Sequence, residues 1–131
     1  MTLVVDASYA VRECGAGTGF VRLREHDLVA PPIMWFETRS VLHEAMWRGD
    51  ASRPDAERAL QRLDAAPIAE RRPRRLGRRA WELADQLGWA KTYDAEYLAL
   101  AQLLGVRVLT VDSRLKRGGD RLGLVVLPSE L

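Results

Sequence analysis

The sequence predicts an α/β fold: a short, mostly parallel sheet with helices on both faces, a three-layer α/β/α sandwich. Two observations carry this. Short apolar runs rich in valine and leucine end abruptly at polar residues or proline, and they alternate with stretches whose apolar residues recur at helical spacing. A third sets the scale: 131 residues, read as one domain spanning 1–131, suffice for a single core and not for two.

The elements follow in order. Leu3-Val4-Val5 is a strand ending at Asp6, and Ala7 to Cys14 a short helix. Gly15-Ala16-Gly17-Thr18-Gly19 reads as a loop, with Thr18 placed to cap a helix through about Glu25. Leu28-Val29-Ala30 is a second strand. Pro31-Pro32 then opens a helix to about Arg48, because proline is tolerated in a first turn. Ser52 to Leu63 is a helix with Ser52 at its cap, and Ala66 to Glu70 a strand. From Arg74 to Leu87 the residues Leu76, Ala80, Leu83, Ala84 and Leu87 form one stripe, stopped by Gly88. Thr92 is placed to cap a helix from Tyr93 to Leu104, closed by Gly105. Val106 to Val111 is a buried strand and Leu124 to Leu127 the last one.

Hydrophobic residues at 47% and charged residues at 29% exclude disorder, fibrous repeats and a coiled-coil rod. No apolar stretch approaches the roughly 20 residues that span a bilayer. The opening MTLVVDAS has no basic segment and meets an acid early, so it does not read as a secretory signal, and a cytoplasmic location is expected. The one cysteine, Cys14, can form no internal disulfide and leaves no cysteine-rich zinc site. All but Lys91 and Lys116 of the 20 basic residues are arginine, a bias that suits phosphate contact and also follows from GC-rich codon usage.

In such sheets the ligand crevice lies beyond the carboxyl ends of the strands. Asp6 and Asp112 directly follow predicted strands and stand at that edge. Asp94 lies in the first turn of the helix that leads into the Val106–Val111 strand. That helix descends about 18 Å at 1.5 Å per residue, and the strand climbs back about 20 Å at 3.3 Å per residue, so Asp94 and Asp112 return to one level. Glu37 sits in the second turn of the helix opened by Pro31-Pro32. Four acids crowding one crevice raise one another's pKa and oppose folding, a conflict that a hard divalent cation, Mg²⁺ or Mn²⁺, removes. A bound ion of that kind orients a phosphodiester and acidifies water. Each acid also has a plainer reading, as a turn residue, a helix-dipole partner or a surface carboxylate.

The segments VVDAS (4–8), APPIMWFETRSVL (30–42), TYDAEYLALAQLLG (92–105) and VLTVDSRL (108–115) resemble the PIN-domain ribonucleases, specifically the VapC-type toxins of toxin–antitoxin pairs. The resemblance covers essentially the whole chain. It implies a metal-dependent endoribonuclease using Mg²⁺ or Mn²⁺, with Asp6, Glu37, Asp94 and Asp112 as its acidic quartet. Asp6 and Asp94 would be the direct ligands, Asp112 a ligand or a partner through water, and Glu37 a group positioning metal or water. Ser8, Thr110 and Ser113 match hydroxyls that support such a site, and Ser40 stands where the family often has Asn. The resemblance further implies a homodimer silenced by a cognate antitoxin, and products with a 3′-hydroxyl and a 5′-phosphate. Trp35 and Phe36 are bulkier than the small aliphatic residues expected at their positions.

For RNA contact the candidates are Arg39 near Glu37, Arg114 beside Asp112, and Arg71, Arg72, Arg74 and Arg75 in the run ERRPRRLGRR (70–79), which reads equally as a solvated face. The glycines at 15–19 lack the lysine and hydroxyl of a phosphate-binding loop, and His43-Glu44 has Trp47 where a zinc motif needs its second histidine. Tyr93 and Tyr97 read as core, with Tyr93 a candidate for base stacking at the crevice rim. Competing readings are an acidic-site DNA nuclease or phosphatase, and a binding module, either a PIN fold without activity or a receiver-like domain. A receiver has adjacent acids after its first strand and a lysine after its last core strand; here Asp6 is followed by Ala7-Ser8 and that lysine is missing.

Overall fold

A computed structural model describes residues 1–131. Five strands form one all-parallel sheet in the order β3-β2-β1-β4-β5: β1 (Thr2–Val5), β2 (Asp27–Ala30), β3 (Ile68–Glu70), β4 (Arg107–Leu109) and β5 (Val125–Val126). Leu3, Val4 and Val5 of the central strand are buried on both faces, which is why β1 reads as an unbroken apolar run. The edge strands β3 and β5 are three and two residues long, and such short edges offer little to a foreign strand.

Six helices connect the strands: α1 (Ala7–Ala16), α2 (Ile33–Trp47), α3 (Arg53–Asp64), α4 (Leu76–Leu87), α5 (Tyr93–Leu104) and α6 (Ser113–Asp120). From β1 the chain steps to β2 and β3 on one side, then crosses back to β4 and β5 on the other. Right-handed crossovers therefore place α1, α2 and α3 on one face and α4, α5 and α6 on the opposite one. The reversal of direction falls between β1 and β4, the switch point at which such sheets open a crevice. No helix is long and apolar enough to cross a membrane.

Several boundaries match the reading from sequence, α5 and its Gly105 stop among them; Gly105 adopts φ 69°, a left-handed conformation that glycine takes without strain. Others differ. The helix expected from Thr18 to Glu25 is only a 3-10 turn, Val21–Leu23, and the Thr18 hydroxyl donates instead to the buried Glu13, which also receives the Tyr9 hydroxyl at 2.5 Å. Thr92 makes no capping hydrogen bond. The strand expected over 106–111 stops at Leu109. Helix α6 was not foreseen, because Gly118-Gly119 weakens its helical signal. The packing requires both glycines: a β-carbon on Gly118 would stand 2.3 Å from the Trp89 ring, and one on Gly119 2.0 Å from a Val125 methyl.

Candidate functional site: an acidic edge at the switch point

Asp6 ends β1 and caps α1, its carboxylate accepting the Tyr9 backbone N–H at 3.0 Å. It is only 3% exposed. Ser8 Oγ donates to it at 2.8 Å, and Thr110 Oγ1, from beyond the end of the neighbouring β4, donates at 2.5 Å. Ser8 and Thr110 also lie 3.2 Å apart, and the Asp112 backbone N–H donates to Thr110 Oγ1 at 3.0 Å. A closed network thus ties the ends of β1 and β4 together. Burial pushes the Asp6 carboxyl up to about 6, against those hydrogen bonds, and the charge of Asp112 pushes the same way.

Asp112 caps α6 with one oxygen, which accepts from the N–H groups of Arg114 at 2.8 Å and Leu115 at 3.3 Å. Asp94 lies in the first turn of α5, half-buried. Burial raises its pKa first and the nearby Asp112 second, while Arg114 draws it down. Glu37, in the second turn of α2, is raised by burial and by the charges of Asp94, Glu96 and Asp112, against a 2.5 Å hydrogen bond from the Tyr97 hydroxyl. All four acids therefore share one edge, and the charge of Asp112 is felt at each of the other three, although α2 and α5 belong to opposite faces. None of them forms an ion pair with Lys, Arg or His.

Yet no three His, Cys, Asp or Glu side chains stand close enough to hold one metal ion in common. The four acids share the sheet edge without yet closing on a common point. The reason lies in the hydrogen bonds: Asp6, Glu37 and Asp112 each commit oxygen to a local donor, and like charges keep apart. The donor chemistry suits a hard divalent cation, because the edge offers carboxylate and hydroxyl oxygens and carries acids whose mutual repulsion only Arg114, near Asp94, partly offsets.

The supporting candidates divide. Ser8 and Thr110 touch Asp6 directly. Ser113 opens α6 and has no hydrogen bond through its hydroxyl. Ser40 donates to Glu44 at 3.4 Å and, with Arg39, lines a groove of about 660 Å³ between α2 and α3, whose lining includes none of the four acids. Arg39 lies over the exposed Phe36 ring, 5.6 Å from its centroid, rather than beside Glu37. Trp35 packs against the core. Arg114 faces Asp94. Arg71 and Arg72 leave the carboxyl end of β3 at the same sheet edge, and Arg74 and Arg75 form the turn into α4; all four are exposed and outside every ion pair. Arg72 is close enough to Glu96 to lower its pKa against the rise that burial causes.

Two residues escaped the sequence reading: Tyr97, taken only as core, and the half-buried Glu96, a fifth acid beside Glu37. For Tyr97 the available signal was its spacing from Asp94, since residues three apart on a helix are neighbours; Glu96, two residues from Asp94, gave no such signal.

A family model of the PIN domain matches residues 3–120. PIN domains are generally nucleases and typically use a divalent metal. No curated protein matches. Among solved structures, PAE2754 from Pyrobaculum aerophilum superposes with a TM-score of 0.78 at 19% identity, covering 98% of this chain and 90% of that one. A chain of a toxin–antitoxin complex from Klebsiella pneumoniae superposes with a TM-score of 0.63 at 20% identity, covering 98% of this chain and 99% of that one. At such identities the likeness is one of fold, and it agrees with the parallel sheet and the helices on its two faces. With a family model covering nearly all of its length, the chain belongs to the PIN domain family.

Proposed function

We propose that the chain is a metal-dependent endoribonuclease of the VapC type, the toxin of a toxin–antitoxin pair, acting on RNA in the cytoplasm. The observation that carries this is the buried Asp6 carboxylate, locked by Ser8 and Thr110 at the switch point, on one sheet edge with Asp94, Asp112 and Glu37, none of them in an ion pair. Asp6, Asp94 and Asp112 would hold Mg²⁺ or Mn²⁺, with Glu37 as a further ligand or a guide for water. When bound, the ion supplies Lewis acidity to the scissile phosphate and lowers the pKa of a water. Ser8 and Thr110 keep Asp6 from turning away. Glu37 orients the attacking water. Arg114, next to Asp94, meets the phosphate, and the exposed arginines 71, 72, 74 and 75 hold the strand beyond it. Water displaces the 3′-oxygen, giving a 3′-hydroxyl and a 5′-phosphate.

The Klebsiella pneumoniae chain of like fold comes from a toxin–antitoxin complex, which supports an antitoxin as partner here, one that sets a basic side chain against the acidic edge. A homodimer is part of the same reading.

The test is cleavage of a single-stranded RNA by the wild type and by Asp94→Asn, with Mg²⁺, Mn²⁺ or EDTA, beside the matching DNA. RNA is cut with either ion and not in EDTA, and the folded variant is slower by about 100-fold or more, the equivalent of a few kcal/mol of lost stabilisation. Equal cleavage by Asp94→Asn overturns the site. Cleavage of DNA at an equal rate replaces the substrate by the DNA alternative.

A further inference from the structure

Tyr97 is among the largest side chains that the fold buries completely, at 1% exposure. A tyrosine at such a depth must find a partner for its hydroxyl or leave a polar group desolvated. It lies one turn beyond Asp94 on α5, and its ring packs in the core, but its hydroxyl emerges where three elements meet. It donates to Glu37 Oε1 of α2 at 2.5 Å. The Ala7 backbone N–H, just past the end of β1, faces the Tyr97 hydroxyl oxygen, and the Asp6 charge is near enough to be felt there. The phenol is therefore held between two acids of the site and gives its one proton to Glu37. Sixty residues separate the pair in sequence, and α2 and α5 lie on opposite faces of the sheet, so this bond spans the crevice. Glu37 has no other hydrogen bond from a side chain. Without the hydroxyl its flexible carboxylate would be free among several rotamers, repelled by Asp94, Glu96 and Asp112.

We infer that Tyr97 is a positioning residue: its hydroxyl fixes the Glu37 carboxylate in one orientation at the acidic edge, so that the edge presents Glu37 to the reacting water or ion without a search. This rests on the nuclease reading. Tyr97→Phe keeps the ring and its packing and removes only the bond. With saturating Mn²⁺ and a single-stranded RNA oligonucleotide, Tyr97→Phe lowers kcat by about ten-fold, the scale of a hydrogen bond to a charged group, and leaves KM within about two-fold. Glu37→Ala, which removes the acceptor, is slower still, and adding Tyr97→Phe to it costs nothing more, because the hydroxyl then has nothing to hold. A wild-type kcat for Tyr97→Phe, or a double variant slowed by the product of the single losses, overturns the inference; a purely structural role for the ring predicts the former. Should the wild type cut no RNA, the nuclease reading fails by itself. The same four proteins then report on the bond through urea unfolding in EDTA: non-additive midpoint shifts uphold the Tyr97–Glu37 coupling, and additive ones refute it.

Discussion

Asp6 and Asp94 carry the same carboxylate at the same edge of one sheet, in opposite surroundings. Asp6 is sealed beneath α1, with the Ser8 and Thr110 hydroxyls and the Tyr9 N–H fixing it. Asp94 is half-buried and receives no hydrogen bond from the protein; its neighbours are the charges of Asp112 and Arg114. The difference follows from backbone position. A residue ending the central strand is reached by donors from β4 and from the helix it caps. A residue opening α5 stands on a free helical end. One acid is thus set in place by the fold, while the other can adjust to a ligand.

The sharpest way to break this contrast is Asp6→Asn. Asparagine also caps a helix, so the substitution removes the charge and keeps an acceptor for Ser8 and the Tyr9 N–H, while the Thr110 hydroxyl turns to accept from the new amide. The Asp6 carboxyl is held near 6 in the folded protein against an ordinary 3.8. A raised acid stabilises the fold only while protonated: the contribution is complete below about pH 4 and is lost as pH rises through 6, a swing of about 3 kcal/mol. In EDTA the wild type therefore weakens over that window, the raised Glu37 and Asp94 adding to the slope, and Asp6→Asn has a shallower profile. At pH 7 the variant unfolds at higher urea than the wild type, by up to that amount, and Mn²⁺ raises the midpoint of the wild type alone. Its RNA cleavage falls by about 100-fold or more. A less stable variant at pH 7 would show that the buried charge is not a burden.

Next in size is Thr110→Val, which preserves shape at a position with no exposure. It removes the donor to Asp6 and leaves the Asp112 N–H without its acceptor. The Mn²⁺ concentration giving half-maximal cleavage rises by about 10–100-fold, the usual effect of removing a group that orients a ligand. An unchanged requirement would mean that Asp6 is held by Ser8 and the backbone alone. A smaller effect attends Arg72→Ala, on the exposed loop past β3. RNA affinity falls a few-fold, and the slope of log affinity against log salt becomes shallower by about one, the value of a single phosphate contact. An unaltered slope would assign the arginine run to solvent.

Much of this was legible in the sequence because strand ends are punctuated. A valine run that stops at aspartate fixes both a strand and the edge where its acid stands, which is how Asp6 and Asp112 were placed. The Gly88 and Gly105 stops fixed the ends of α4 and α5 equally well. What stayed hidden depended on contacts between distant segments. Tyr97 looked like core because it is core up to its last atom. Helix α6 was masked by two glycines whose reason, the Trp89 ring and the Val125 methyl, exists only after folding. The height argument for Asp94 and Asp112 assumed a six-residue strand, whereas β4 has three residues and the chain covers the remaining distance through Thr110 and Val111. It reached the right edge but not a ready coordination distance.

Ser40 gives the smallest effect and the cleanest control. It stands three residues past Glu37, where the resembled family often has Asn, and that resemblance is why it was expected to support the site. Three residues turn a helix by about 300°, however, so the two side chains point some 60° apart. On α2 that is enough to send Glu37 to Tyr97 and the crevice, and Ser40 to Glu44 and the groove against α3. The exposed 3.4 Å bond that Ser40 makes contributes little. Ser40→Ala therefore leaves kcat, the Mn²⁺ requirement and the urea midpoint at wild-type values within error, while Thr110→Val, on the Asp6 network, does not. A loss of cleavage in Ser40→Ala comparable to that of Thr110→Val would mean that the acidic edge extends around α2 toward the groove, and that the division between the two surfaces is drawn in the wrong place.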